Sequence, residues 1–192
     1  MKKTLTVLMM LLLAAMLIVS CNNNPEQKEP EQEEKVEVGG TIERGKVTWK
    51  VLKIDGSKAL VISEKVLTKM KHRNDAGSLN AWSDSLINKW LNDTSSDGFI
   101  AQYGLGDVSI AQVGDVNGKV FVLTKTEAET YFSDNASRAA TNLSGEASGW
   151  WLASQNSSPS YYDNVDSDGA ISSSGTPVHY EQGVRPALWI NL

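Results

Sequence analysis

The sequence contains few of the side chains on which small proteins most often build chemistry. Among its 192 residues there are one cysteine and two histidines. A single cysteine cannot form a disulfide within the chain, so the fold does not depend on a disulfide framework. So few cysteines and histidines also exclude a zinc cluster made from those ligands.

Positive charge is scarce as well. Lysine and arginine together number 18, against 23 aspartate and glutamate residues, and the net charge is −5 at pH 7. Residues 143–184 contain no lysine or arginine. A chain with this charge does not attract polyanions in bulk, so we expect no nucleic acid partner. With 41% hydrophobic residues, the composition is otherwise that of an ordinary globular protein.

A hydrophobic run near the N-terminus predicts export from the cytoplasm. Lys2 and Lys3 precede residues 5–19, which are apolar apart from Thr6. This run is shorter than the roughly 20 residues that a membrane-spanning helix needs. We therefore interpret residues 1–20 as a signal peptide.

The only cysteine, Cys21, stands directly after this segment. Ile18 at position −3 and Ser20 at position −1 resemble a bacterial lipobox. The resemblance implies cleavage before Cys21 and acylation of its thiol and amine, so that membrane lipid becomes a partner. It also implies a location in the bacterial cell envelope, facing the periplasm or the exterior. The alternative is an ordinary signal peptide followed by a chance cysteine.

The rest of the sequence divides into a tether and one domain. Residues 22–35 contain no aliphatic or aromatic side chain. Such a segment cannot bury enough apolar surface to offset the chain entropy lost on folding. We therefore expect residues 21–35 to be a lipidated, disordered tether and residues 36–192 to be a single globular domain.

Local patterns predict strands and a helix at the start of the domain. Alternating β-branched residues at 47–54 and 59–63 flank a turn sequence and predict a hairpin. Residues 78–92 change to helical spacing, with Trp82 and Trp90 eight residues apart on one face. We expect Trp82 and Trp90 to be structural residues, mostly buried against the strand that carries Trp49.

Two further features concern the C-terminal strands. Trp150 and Trp151 are adjacent in a predicted strand, where successive side chains face opposite ways. We expect one of them in the core and the other on a surface. Arg185 lies in a predicted apolar strand at residues 183–190, where a buried charge needs partners. We expect Arg185 to be a structural residue that holds a loop carboxylate or several backbone carbonyls.

The same region carries an ordered set of short motifs, which are Trp150-Trp151-Leu152-x-Ser154, Asp168-Gly169 and Gly183-Val184-Arg185-Pro186-Ala187-Leu188. With weaker motifs from about residue 45 onward, they resemble an uncharacterised bacterial domain family common in surface lipoproteins. That family usually has arginine after the Trp-Trp-Leu motif, where this sequence has Ala153. Because the function of the family is unknown, the resemblance implies no chemistry.

The closing motifs more loosely resemble the end of C-type-lectin-like and formylglycine-generating-enzyme-like domains. This second resemblance implies the α+β fold class, as a mixed domain of short twisted antiparallel strands, one or two helices and long C-terminal loops. A formylglycine-generating enzyme would need a free cysteine pair, which the sequence lacks. The sequence also has no Gly-x-Ser-x-Gly nucleophile elbow, and we expect no enzyme activity.

The C-terminal loops supply the candidate ligand site. Residues 154–181 are rich in Ser, Gly, Asn and Tyr, as are many adaptable binding surfaces. We expect a glycan or a surface protein as ligand; the alternatives are an envelope polysaccharide hydrolase and a purely structural surface domain. His72, in a basic stretch, is expected to face solvent. The candidate ligand-binding residues, expected on one face, are Trp151, Tyr161, Tyr162, Asn164, His179 and Tyr180.

Calcium is the one cofactor that the sequence suggests. Asn164, Asp166 and Asp168, followed by Gly169, copy the first half of a calcium loop, with oxygens at alternate positions. The twelfth position of such a loop needs a bidentate acid and is Gly175 here. A plain hairpin turn is the other interpretation of this stretch.

Overall fold

Two five-stranded sheets carry the fold in a computed structural model that describes residues 35–79, 81–111 and 119–192. The predictions of a signal peptide and of acylated Cys21, and nearly all of the predicted tether, lie outside the described residues. The residues from Lys35 onward form one compact unit. No helix in the described ranges is both long and apolar enough to cross a membrane.

The strands are short, and most pair antiparallel. In chain order they are β1 (Thr41–Arg44), β2 (Val47–Asp55), β3 (Lys58–Ser63), β4 (Thr68–Met70), β5 (Val120–Phe121), β6 (Trp150–Gln155), β7 (Tyr161–Val165), β8 (Thr176–Pro177), β9 (Gln182–Val184) and β10 (Ala187–Asn191). The first sheet has the order β1-β2-β3-β10-β5, and the second has the order β4-β9-β6-β7-β8. Only β6 and β9, among these pairs, run parallel.

The helices are short. They are α1 (Leu86–Leu91), α2 (Phe99–Gln102), α3 (Lys125–Tyr131) and α4 (Asn135–Arg138), with a 3-10 helix at Trp82–Asp84. Sheets of mostly antiparallel strands with a few short helices confirm the predicted α+β class. The described residues contain four α-helices, where one or two were expected.

The predicted N-terminal hairpin is confirmed as β2 and β3, which pair from Trp49↔Ser63 to Asp55↔Lys58. Gly56 in the turn has a φ of 59°, a left-handed conformation that glycine adopts without steric cost. The strands and their turn therefore follow from local residue preferences.

The single helix predicted over residues 78–92 is wrong. Ser85 has an extended backbone, and its hydroxyl accepts a hydrogen bond from the Asn88 amide at 2.9 Å, so α1 begins there. Because this cap separates the two tryptophans, Trp82 lies in the 3-10 helix and Trp90 in α1. Both are only partly buried, and Trp90 reaches Trp49 through Phe99.

The predicted terminal strand divides into two strands that belong to different sheets. β9 pairs with β4 in the second sheet, and β10 pairs with β3 in the first. Pro186, between them, has no amide hydrogen to donate to a ladder. Its carbonyl instead accepts from the Ser63 amide at 2.8 Å. The chain thus changes sheets at Arg185 and Pro186.

Two core clusters lie on opposite faces of these sheets. The first core cluster joins Trp49 and Val61 of the first sheet to Trp151 and Tyr162 of the second. The second core cluster contains Leu60, Phe132, Trp150 and Val165, together with Ala128 of α3. A strand between the clusters therefore buries both of its faces.

Candidate functional site

Both tryptophans of β6 are buried, so the expectation that one of them lines a surface is wrong. Trp150 and Trp151 are each 0% exposed. Their side chains do alternate, but Trp151 enters the first core cluster and Trp150 the second. Each indole nitrogen donates to a backbone carbonyl, Trp150 to Arg138 at 3.1 Å and Trp151 to Met70 at 2.8 Å. Trp151 is therefore a core residue.

Two other candidate ligand residues are also buried. Tyr162 is 1% exposed and belongs to the first core cluster. Asn164 is 1% exposed, and its amide donates to Asp166 Oδ1 at 2.8 Å while its oxygen accepts from the Thr176 hydroxyl at 3.0 Å. The expectation that these residues share an open face is wrong, because both faces of β7 are buried from Tyr162 to Val165. The Asn164 side chain joins β7 to the turn that follows it and to β8.

The stretch that resembled half a calcium loop forms a hydrogen-bonded turn. The Gly169 amide donates to the Asp166 carbonyl at 2.9 Å, and Asp168 Oδ1 accepts from the Ala170 amide at 3.0 Å. The Asn164 amide, not an oxygen, points at Asp166. The described residues contain no group of three or more His, Cys, Asp or Glu side chains placed to hold a metal ion. These contacts account for the turn without an ion, and calcium binding stays a prediction.

The remaining candidates form what we call the tyrosine edge, which consists of Tyr161, Pro177, His179 and Tyr180. Tyr161 is 39% exposed and stands opposite Pro177 in the β7–β8 pair. The Tyr180 amide donates to the Pro177 carbonyl at 2.9 Å, and the Tyr180 ring is 57% exposed. The His179 ring packs edge-on against Tyr180, 4.6 Å between centroids. Among the described residues, Tyr161 and Tyr180 are the exposed large aromatic side chains, whereas His179 is only partly exposed.

The chain around the tyrosine edge carries no lysine or arginine, and the nearby Arg73, which bonds to Val178, is paired with Asp75. Glu181 follows the edge directly. Asp163, on β7, is the one buried acid in the described part of the chain. Its Oδ1 accepts from the Asn156 amide at 2.6 Å. A glycosidase needs two acids that converge on one bond, and Asp163 has no second buried acid beside it.

His72 lies in the core, and the expectation that it faces solvent is wrong. The side chain is 0% exposed. Its ring lies 4.4 Å from Tyr162, 4.5 Å from Trp151 and 5.7 Å from Trp82, between centroids. This burial lowers the pKa of His72 to about 3. The alternation of Lys69, Met70, Lys71, His72 and Arg73, with polar residues outward, is the sequence signal that would have placed it inside.

Several buried side-chain nitrogens in and near His72 lack a hydrogen-bond partner within the described residues. In the described ranges, the buried side-chain nitrogens that lack a hydrogen-bond partner are both ring nitrogens of His72, Trp82 Nε1 and His179 Nδ1. The loop that carries His72 meets the chain before His179, since the Arg73 amide donates to the Val178 carbonyl at 2.9 Å. Buried polar groups are normally hydrogen-bonded. The rings of His72 and Trp82 are therefore held by packing, whereas the backbone around them forms hydrogen bonds.

Arg185 is buried, as expected, and its partners are backbone carbonyls. The side chain is 3% exposed, and Nε donates to the Ser63 carbonyl at 2.8 Å. A longer contact of 3.4 Å reaches the Arg138 carbonyl. The guanidinium lies over the rings of Trp150 and Phe132, at 5.2 and 5.5 Å. Among the described residues no carboxylate forms an ion pair with it.

A cavity of about 380 Å³ lies elsewhere on the domain, beside α2. Its walls are apolar, formed by Ile100, Leu105, Val108 and Ile110. The Asn92 side chain also borders it, but both of its polar atoms are occupied by contacts to the backbone around Val120. Thr94 and Lys119 line the cavity as well, so polar groups border its apolar walls.

The C-terminal half of this architecture has relatives. Residues 107–192 match the profile of a family described as Domain of unknown function (DUF6273). The matched segment includes β5–β10, and thus the tyrosine edge and Arg185, whereas β1–β4 precede it. The prediction of an uncharacterised domain family is confirmed at this level. No curated protein and no solved structure matches the chain.

Proposed function

We propose that the protein is a lipid-anchored bacterial envelope protein whose domain binds an extracytoplasmic ligand through the tyrosine edge. The observation that carries the proposal is the pair of exposed tyrosines, Tyr161 and Tyr180, on either side of Pro177. Tyrosine supplies a large, rigid contact area with a polar tip, at a low cost in side-chain entropy. Long C-terminal loops on an α+β domain support a C-type-lectin-like arrangement for this ligand face.

Charge favours an uncharged glycan over the other ligands considered. An anionic polymer would meet Glu181 and a stretch without lysine or arginine, so its approach would be unfavourable. The apolar C–H faces of a sugar can pack on tyrosine rings, while its hydroxyls bond to neighbouring polar groups. Ser158 and Ser160 precede Tyr161 and supply such groups. A surface protein is the second ligand class to be tested.

The double variant Tyr161→Ala/Tyr180→Ala tests the proposed site. Binding by the detergent-solubilised protein would be measured on arrays of uncharged and anionic glycans and of envelope proteins. Because aromatic hot-spot residues each contribute about 1–2 kcal/mol, the double variant should lose at least ~30-fold in affinity. The matched control is Leu143→Ala, which trims a side chain that is 60% exposed in another loop. Equal binding by the double variant and the parent would exclude the tyrosine edge as the site.

Cys21→Ser tests the anchor separately. Serine has no thiol to acylate, so the variant should leave the membrane fraction or accumulate as uncleaved precursor. A fatty acid label supplied to cells should mark the parent and not the variant. Equal labelling of the two proteins would show that Cys21 does not carry the lipid.

A further inference from the structure

We propose that His72 is an acid-sensitive latch: protonation of its imidazole releases residues 71–79 and the 3-10 helix from the second sheet. This inference does not depend on the ligand proposed for the tyrosine edge. It rests on the position of His72, whose ring is enclosed by Trp82, Trp151 and Tyr162. Both ring nitrogens are buried, and neither has a hydrogen-bond partner in the described residues.

The enclosure has no place for a charged imidazole. An imidazolium carries two N–H donors, and the closed structure offers an acceptor to neither of them. Among the described residues, no carboxylate lies within ion-pair distance of the ring. Burial accordingly lowers the pKa of His72 from 6.5 to about 3. Cation–π attraction to the surrounding rings offsets only part of such a penalty.

The charged and titratable groups around His72 do not replace the missing partner. On its own loop, Arg73 is paired with Asp75 at 2.9 Å. The 3-10 helix carries Asp84, which is exposed to solvent. From β7 comes the Tyr162 hydroxyl, whose pKa is raised chiefly by burial. The neighbouring turn carries His179, which is not an acid and so supplies no negative charge to compensate His72.

Apart from His72, the segment is attached by Leu79, whose side chain is buried in the first core cluster and whose carbonyl accepts from the Gln155 side-chain amide. Residues 71–79 contain no helix or strand. Backbone amides attach this segment through Arg73 to Val178 and through Leu79 to Pro159, at 2.9 Å each. The Leu86 amide donates to the His72 carbonyl at 2.9 Å, so the start of α1 depends on the same loop. Release would uncover the Trp151 and Tyr162 rings, which now pack against His72.

The expected response follows from proton linkage. In the released form His72 regains its ordinary pKa of 6.5, whereas in the closed form it is about 3. The released form therefore binds more protons at acid pH, and its population rises as pH falls. Between about pH 7 and about pH 4.5 the increase should be ~75-fold. This fold-increase depends little on the pKa of His72 in the closed form, because pH 4.5 lies above that pKa.

Hydrogen exchange of the full chain in detergent tests this proposal. After correction for intrinsic exchange rates, the amides of Arg73, Leu79 and Leu86 should lose ~75-fold in protection over that pH range. The amides of β2 and β3 should keep their protection from exchange. His72→Phe retains a planar ring that does not titrate, and it should abolish the response. His179→Gln alters the other histidine and should leave the response intact.

Three results would overturn the proposal. The first is unchanged protection of the three amides in the parent protein at acid pH. The second is the same loss of amide protection in His72→Phe, or in His72→Gln if the phenylalanine variant does not fold. The protonation of carboxylates, and not of His72, would then be responsible for the loss. The third is an equal loss in β2 and β3, which would mean that the whole domain opens. The parent protein alone decides the first and third of these if neither variant folds.

Discussion

Trp150→Ala and Trp151→Ala should each lower the free energy of unfolding by about 3–5 kcal/mol, the usual cost of truncating a buried tryptophan. Both side chains are 0% exposed, and each fills part of a different core cluster. Alanine would leave a cavity, and it would also leave the Arg138 or Met70 carbonyl without its indole donor. The two losses should be similar although the residues face opposite ways.

Urea unfolding of the purified variants measures these losses. Trp189→Ala in β10 is the matched control, because Trp189 is only partly buried and lies under Lys53. Trp189→Ala should lower the free energy of unfolding by about 1–2 kcal/mol, because the Trp189 side chain buries a smaller area. A loss below about 1 kcal/mol for either β6 variant would contradict its place in the core, given the usual cost of such truncations.

Arg185→Lys should lower the free energy of unfolding by about 2–4 kcal/mol, as expected when a buried charge loses its hydrogen bonds. Arg185 bonds to the Ser63 carbonyl, and its guanidinium lies over the rings of Trp150 and Phe132. Burial lowers its pKa to about 10, so the guanidinium is still charged at neutral pH. An ammonium is more strongly hydrated and is not planar, so it can reproduce neither the ring contacts nor the fork of donors.

Arg185→Met separates the charge from the packing. Methionine fills much of the same volume and removes the cost of burying a charge, although the Ser63 carbonyl loses its donor. We expect the loss for methionine to be smaller than for lysine. Thermal and urea unfolding of both variants provide the measurement. A lysine variant as stable as the parent would show that the guanidinium has no structural role.

Local signals in the sequence were enough for some elements. Alternating β-branched residues and Asp55-Gly56 predicted β2 and β3 because a strand preference and a turn preference act over a few residues. The start of α3 is equally local. Thr124 and Glu127 each bond the other's backbone in a capping box. Both contacts lie within four residues, so no distant part of the chain is needed to form them.

The candidate site was predicted only in part, since exposure depends on what the rest of the fold covers. Tyr161 and Tyr162 are adjacent and chemically identical, yet one is 39% exposed and the other 1%. Both faces of β7 are buried from Tyr162 to Val165, so Tyr161 is exposed because it lies at the start of the strand, which alternation alone does not show. His72 was missed for a related reason: a basic stretch indicates a solvated surface, whereas the rings that enclose His72 come from β6, β7 and the 3-10 helix.

By itself, the sequence determined the hairpin of β2 and β3 and the apolar setting of Arg185, and a family resemblance implied the α+β class. The hairpin and the setting of Arg185 depend on the preferences of neighbouring residues. Only the tertiary structure decided that both tryptophans of β6 are buried, that residues 183–190 divide between two sheets and that the His72 ring has no hydrogen-bond partner among the described residues. Each of these depends on contacts between segments far apart in the chain, and a periodic pattern along one strand cannot specify which segment covers its second face.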